Sequence, residues 1–166
     1  DAGLGAQDNA NTHNTGIGWQ SLKSITDGGY NVSIGSRSGQ NLTTGDFNVF
    51  VGDYAGNATT DGDKLVAIGH SAMASNVTSD ADASIGIGYE ALYALTSGAK
   101  NLAIGYQAMS LMQTGTNNIA FGYQAMDALQ GGDGSGGVAA SANGGNHNIA
   151  IGTDAMGAVE GYRSTT

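Results

Sequence analysis

Three histidines, His13, His70 and His147, and two glutamates, Glu90 and Glu160, are the acid–base candidates of this 166-residue sequence, and they fall at unrelated places along it. No metal-ligand spacing joins the histidines, and Ser71 beside His70 is adjacency without the third member of a triad. Cutting a glycan takes two carboxyl groups facing one groove, which two distant glutamates do not promise, so no enzymatic activity is expected. The aspartates are better organised. Asp27 and Asp61 lie nine residues, and Asp46, Asp63, Asp80 and Asp133 eleven residues, after a recurring glycine. Carboxylates stacked about 5 Å apart repel by roughly 1 kcal/mol even in water, which a bound cation would relieve. Asp61, Asp63, Asp80 and Asp82 are therefore candidate ligands of a structural calcium, with a solvated acidic edge as the plain alternative. No other cofactor is expected.

Tyr89, Tyr106 and Tyr123 each follow that recurring glycine directly, as Trp19 does, and Tyr54 comes one place later. If the repeats stack, these rings form an exposed platform suited to sugar rings or a partner's apolar patch; the plainer reading is that each covers its neighbour. Thr26, Thr43, Thr60 and Thr96 recur eight residues after the glycine, but the column fails as an ice-binding array at Val77, Gln113 and Gln130. Residues 130–147, QGGDGSGGVAASANGGNH, form the one long irregularity. Read as a loop projecting from one edge, they offer Asp133, Asn143, Asn146 and His147 as contact residues beside Tyr123.

What positions these residues is a repeat. A glycine preceded by Ile, Val or Phe recurs at Gly18, Gly35, Gly52, Gly69, Gly88, Gly105, Gly122 and Gly152, at spacings of 17, 17, 17, 19, 17, 17 and 30. A 17-residue unit cannot enclose a core and must bury its apolar face on its neighbours, so residues 1–166 read as a single solenoid domain. The fold expected is a parallel β-solenoid of about eight coils, with the 2-residue and 13-residue additions as side loops. In Asn118-Ile-Ala-Phe-Gly122, Ile119 and Phe121 alternate with Asn118, Ala120 and Gly122, which predicts a short strand. The large face is expected to point into the coil, leaving a flat outer face of Asn, Ala and Gly for close approach of another copy, with Phe50 as its one interruption.

After the glycine, apolar or small residues at positions +3, +4 and +7 (Ala108, Met109 and Met112, for example) match a helical stripe. Helical turns or a second short strand are both open readings there. Gly39 and Gly56 replace the +4 residue in two copies, and glycines at +10, such as Gly28, Gly45, Gly62, Gly98, Gly115 and Gly132, are expected to act as left-handed stops. Asn14, Asn31, Asn48, Asn101, Asn118 and Asn148 open the strands, and stacking would align their amides into a structural ladder.

Composition sets the remaining bounds. A net charge of -9 with only five Lys and Arg excludes phosphate-rich partners, so neither nucleic acid nor an anionic membrane is expected to bind. No cysteine means no disulfide and no thiolate metal site, and the apolar runs are too short for membrane insertion. A chain opening at Asp1 reads as a processed product or fragment. Sequons at Asn31, Asn41, Asn57 and Asn76 make glycosylation chemically available.

The segments NIAIG, GYQAM and GYEALYALTSG resemble the repeats of bacteriophage tail-fibre shafts and, more loosely, the head repeats of trimeric autotransporter adhesins, from Asn14 to Val159. That resemblance implies a homotrimeric, extracellular fibre, on a virion tail or a bacterial surface. Its partners would be copies of itself and a host cell-surface glycan or protein. A bacterial trimeric adhesin and a self-assembling extracellular filament subunit are the alternatives.

Overall fold

Each repeat spends three residues on a strand and then turns at a glycine, and the reason for the glycine is steric. The computed structural model describes residues 13–127 and 145–157. In it Gly105 has φ of +141°, and a Cβ there would overlap the carbonyl oxygen of Gly122 in the next coil. Gly18, Gly35, Gly52, Gly69, Gly88 and Gly122 meet the next coil's glycine in the same way. No L side chain fits such a column.

The strands are β1 (Thr15–Ile17), β2 (Val32–Ile34), β3 (Val49–Val51), β4 (Val66–Ile68), β5 (Ile85–Ile87), β6 (Leu102–Ile104), β7 (Ile119–Phe121) and β8 (Ile149–Ile151). They form one parallel sheet in sequence order, the topology of a β-solenoid. Register is preserved at both irregular spacings. Val66 pairs with Ile85 across the 2-residue addition, which a 3-10 turn at Ser79–Ala81 takes up. Ile119 pairs with Ile149, so the frame resumes directly after the 13-residue addition. Most of that addition, including Asp133 and Asn143, lies outside the described residues, as does Gly132.

Period-two alternation is present, but its faces are the reverse of those expected. Ala103 and Ala120 are fully buried, whereas Ile119 is 37% and Phe121 54% exposed. The interior is narrow, and the turn residues fill it first. A Cβ on Gly86, the equivalent place in β5, would stand 3.3 Å from the Met73 Cε and 3.1 Å from the Ala91 carbonyl oxygen. The inward strand position must therefore be small, and the bulky β-branched residues are left outside. Phe50 is the exception that explains two others: it points inward, fully buried, and its ring occupies the space vacated by Gly39 and Gly56.

The segment after each glycine is not a helix. Leu22, Met73, Leu92, Met109 and Met126, all at +4, and Gln20, Arg37, Glu90, Gln107 and Gln124, at +2, have φ between 49° and 57°. Two overlapping turns result, closed in the sixth coil by Ala108 N–H to Gly105 O (3.4 Å) and Ser110 N–H to Gln107 O (3.2 Å). The left-handed residues turn their N–H groups outward along the stack in opposite directions. Gln107 N–H reaches back to Tyr89 O at 2.8 Å, and Met109 N–H reaches forward to Ala125 O at 2.9 Å. A left-handed L residue costs about 1–2 kcal/mol, which these inter-coil hydrogen bonds offset. The +3, +4 and +7 stripe is buried as a helix would bury it, by different geometry.

The +10 glycines are also there for another reason than expected. Of the described ones only Gly98 has positive φ, at 114°; Gly28 and Gly45 lack it, and a Cβ on either would overlap the next coil's Gly45 or Gly62 carbonyl oxygen. Position +7 holds Ile25, Leu42, Leu95 and Met112, and in the third coil Thr59, whose buried Oγ1 has no hydrogen-bond partner among the described residues. Thr59→Val replaces that stranded hydroxyl with a methyl group of the same shape. It is expected to stabilise by about 1–2 kcal/mol, read as a rise in urea midpoint; an unchanged or lower midpoint would mean that the hydroxyl has a partner.

Candidate interaction face

Two ladders run along the stack. Asn14 Oδ1 accepts from the Asn31 N–H at 2.8 Å, Asn31 Oδ1 from Asn48 N–H at 2.8 Å, and Asn48 Oδ1 from Leu65 N–H at 2.8 Å. Leu65 interrupts the column; Ser84 takes it up again, its Oγ accepting from Asn101 N–H at 3.2 Å and donating to Gly98 O at 3.4 Å, and it continues with Asn101 Oδ1 accepting from Asn118 N–H at 3.0 Å and Asn118 Oδ1 from Asn148 N–H at 2.9 Å. Each of Asn31, Asn48 and Asn101 also donates its Nδ2 to the +10 glycine carbonyl of its coil's far side, Gly45, Gly62 and Gly115. These amides are fastened from both ends. Asn31 is fully buried, which removes it as a glycosylation acceptor.

The aspartates make the second ladder. Gly29 N–H donates to Asp46 Oδ1 at 2.6 Å, Asp46 N–H to Asp63 Oδ1 at 2.7 Å, and Asp63 N–H to Asp82 Oδ1 at 2.8 Å. Asp82 takes this place because the 2-residue addition precedes it, which shifts the column past Asp80. Asp61 accepts from the Thr60 hydroxyl at 3.0 Å, and nothing is described of the Asp80 side chain. Among the described residues no group of three His, Asp or Glu side chains is placed to hold a metal. The backbone N–H groups already relieve the carboxylates. Millimolar calcium is therefore expected to leave the melting temperature unchanged, and a rise of several degrees would place an ion on this column.

The aromatic column at +1 and +2 is longer than the sequence suggested. Arg37 lies over the rings of both Trp19 (4.6 Å) and Tyr54 (5.0 Å), Tyr54 meets His70 at 6.3 Å, and His70, Tyr89, Tyr106 and Tyr123 stack at 5.4, 4.9 and 5.2 Å. Arg37 and His70 were missed because neither is at once aromatic and repeated; only the register reveals them. The last three ring pairs lie within 9° of parallel, so their faces are turned onto one another and the edges and hydroxyls face solvent. A sugar ring cannot lie flat on a face already covered. The Glu90 carboxylate, hydrogen-bonded to the Tyr89 side chain, raises the phenol above its usual pKa by favouring the neutral donor.

His147 and Asn146 belong to other columns. Asn146 Oδ1 accepts from Thr116 N–H at 2.7 Å, and His147 Nε2 lies 3.3 Å from Asn117 Nδ2. His147 sits five residues before Gly152, at a position shared with His13, Tyr30, Phe47, Lys64, Ala83, Lys100 and Asn117, every one exposed and left-handed. His13, Tyr30 and Phe47 stack at 4.6 and 5.0 Å.

No protein-family model, curated protein or solved structure matches this chain.

The two aromatic columns border the sheet's outer face, where fifteen of the sixteen outward strand residues are apolar and Thr15 is the exception. Seven steps of about 4.8 Å by three strand residues of about 3.3 Å make the apolar strand face on the order of 330 Å², and the two bordering columns widen it to about 700 Å². With its borders the face approaches the area one partner contributes to a standard interface. Parallel sheets are almost always covered on both faces.

Proposed function

We propose that this chain is the repeat segment of a homotrimeric extracellular fibre that serves cell-surface attachment, on a phage tail or, alternatively, as a bacterial surface adhesin. The observation that carries the reading is the outward apolar face of the sheet, bordered by aromatic columns. Its size and flatness suit further copies of the same chain, and the resemblance of the repeats supports a threefold arrangement. The surfaces left outside such a trimer are acidic and amide-rich, and they would carry the contact with a host glycan or protein. No catalysis is assigned to it.

Attachment is tested with fluorescently labelled protein on candidate host cells, alongside a variant shortened by 13 residues within 130–147 to restore the 17-residue spacing. Because β7 and β8 pair directly, the shortened chain is expected to fold. Cell binding by the parent that drops at least about tenfold on shortening supports attachment through this segment. A parent that binds no cell surface, with glycan or without, contradicts the reading.

A further inference from the structure

The two borders of the apolar face carry opposite charge. On the border five residues before each glycine, the charged residues are Lys64 and Lys100, both exposed, and neither makes an ion pair among the described residues. On the opposite border stand Asp53 at +1 and Glu90 and Asp154 at +2; the basic residues there are His70 at +1 and Arg37, held between Trp19 and Tyr54. Among the described residues the Asp53 carboxylate has only a 3.8 Å contact with His70, and Glu90 accepts from Gln107 Nε2 at 2.8 Å.

Orientation decides whether these charges attract. Copies related by rotation about the solenoid axis set the lysine border of one against the acidic border of the next. Copies packed antiparallel, face to face, set lysine border on lysine border. In a chain of net charge -9, gathering two of its five basic residues on one border favours the first arrangement. The register agrees. Lys64 lies one coil after Asp53, and Lys100 one coil after Glu90, so between unshifted copies the same step of about 4.8 Å, within the reach of a lysine side chain, separates both pairs. The same step relates Tyr30 to Trp19 and Phe47 to Arg37.

We propose that the chain assembles with parallel copies about a common axis, unshifted along it, in which Lys64 and Lys100 of one copy reach one coil back along the stack to pair with Asp53 and Glu90 of the next. This rests on the self-association under Proposed function and adds its direction and register. The chain has no cysteine, so engineered pairs report cleanly. Lys100→Cys with Glu90→Cys, and separately Lys64→Cys with Asp53→Cys, would be air-oxidised and run on denaturing gels beside light scattering of the same samples. Within one chain the borders stand roughly 20 Å apart, far beyond disulfide reach, so any cross-link joins two copies.

The expected result is covalent dimers and closed oligomers from each double variant and monomers from each single one. Assembled mass in solution without cross-linking in either double variant would overturn the pairing and leave self-association standing. A monomeric mass would overturn both. As a second readout, Lys100→Glu and Glu90→Lys should each weaken assembly about tenfold, and the combined reversal should restore it. A double variant as weak as the singles would count against the pairing.

Discussion

Met109→Asp is expected to leave the chain unfolded at room temperature, while Gln107→Asp, two residues away, stays folded with a modest loss. Met109 is fully buried between Leu92 and Met126 in the +4 column, where no basic side chain is available. An unpaired carboxylate there either ionises without partners or takes up a proton, at a cost of several kcal/mol against a total stability of about 5–15 kcal/mol. Gln107 is half-buried at the surface, its amide donating to Glu90 Oε2 at 2.8 Å and accepting from Gln124 at 3.0 Å. Asp in its place loses that bridge and repels Glu90, a surface effect of about 1 kcal/mol. Circular dichroism with urea titration separates the two. Equal melting of both variants would mean that the buried face is wrongly assigned.

The second large effect lies in Phe50, the one aromatic ring buried inside the stack among the described residues. Phe50→Ala is expected to cost about 3–5 kcal/mol, because the cavity is walled by rigid backbone turns that cannot collapse into it. Gly56→Met alone should also destabilise, since its Cβ would lie 2.7 Å from the Phe50 ring. Combined, the two changes should recover most of the loss. Gly56 has φ of 59°, and Met73 and Met109 hold the same place in their coils at 49° and 53°, so a methionine there meets no new backbone strain. The cavity it fills is the one the phenylalanine leaves. Urea unfolding of the four proteins forms a double-mutant cycle with a coupling of at least about 2 kcal/mol; simple additivity would show that Phe50 and Gly56 do not share a space.

That exchange of volume also shows where the sequence was readable. The period, the strand positions and the buried +3, +4 and +7 stripe follow directly from residue types at fixed spacing. The inside and outside of the strand did not, because alternation identifies two faces without saying which is buried. Large residues normally mark the interior; here Met and Leu from the turns occupy it first, and Ala103 or Ala120 is all that fits beneath them. The helical reading failed for a related reason. The apolar stripe of a helix and the left-handed double turn bury the same residues, and Ala, Met and Gln favour helix in isolation. Inter-coil hydrogen bonds outweigh that local preference, and they are visible only once the coils are stacked. At the interaction face the sequence offered Tyr89, Tyr106 and Tyr123 as a platform, but the stack uses their ring faces internally. The opposed charges of Lys64 and Lys100 against Asp53 and Glu90 lie on borders that exist only in the folded sheet.

Self-association through the outward apolar face is the central claim, and mass in solution tests it most directly. Light scattering on the chain at micromolar concentration is expected to give three times the 16.5 kDa monomer mass. Ile104→Asp, at the centre of that face and half-buried on the single chain, should reduce the mass to one copy without loss of β-structure. A parent protein that runs as a stable 16.5 kDa monomer would contradict the claim.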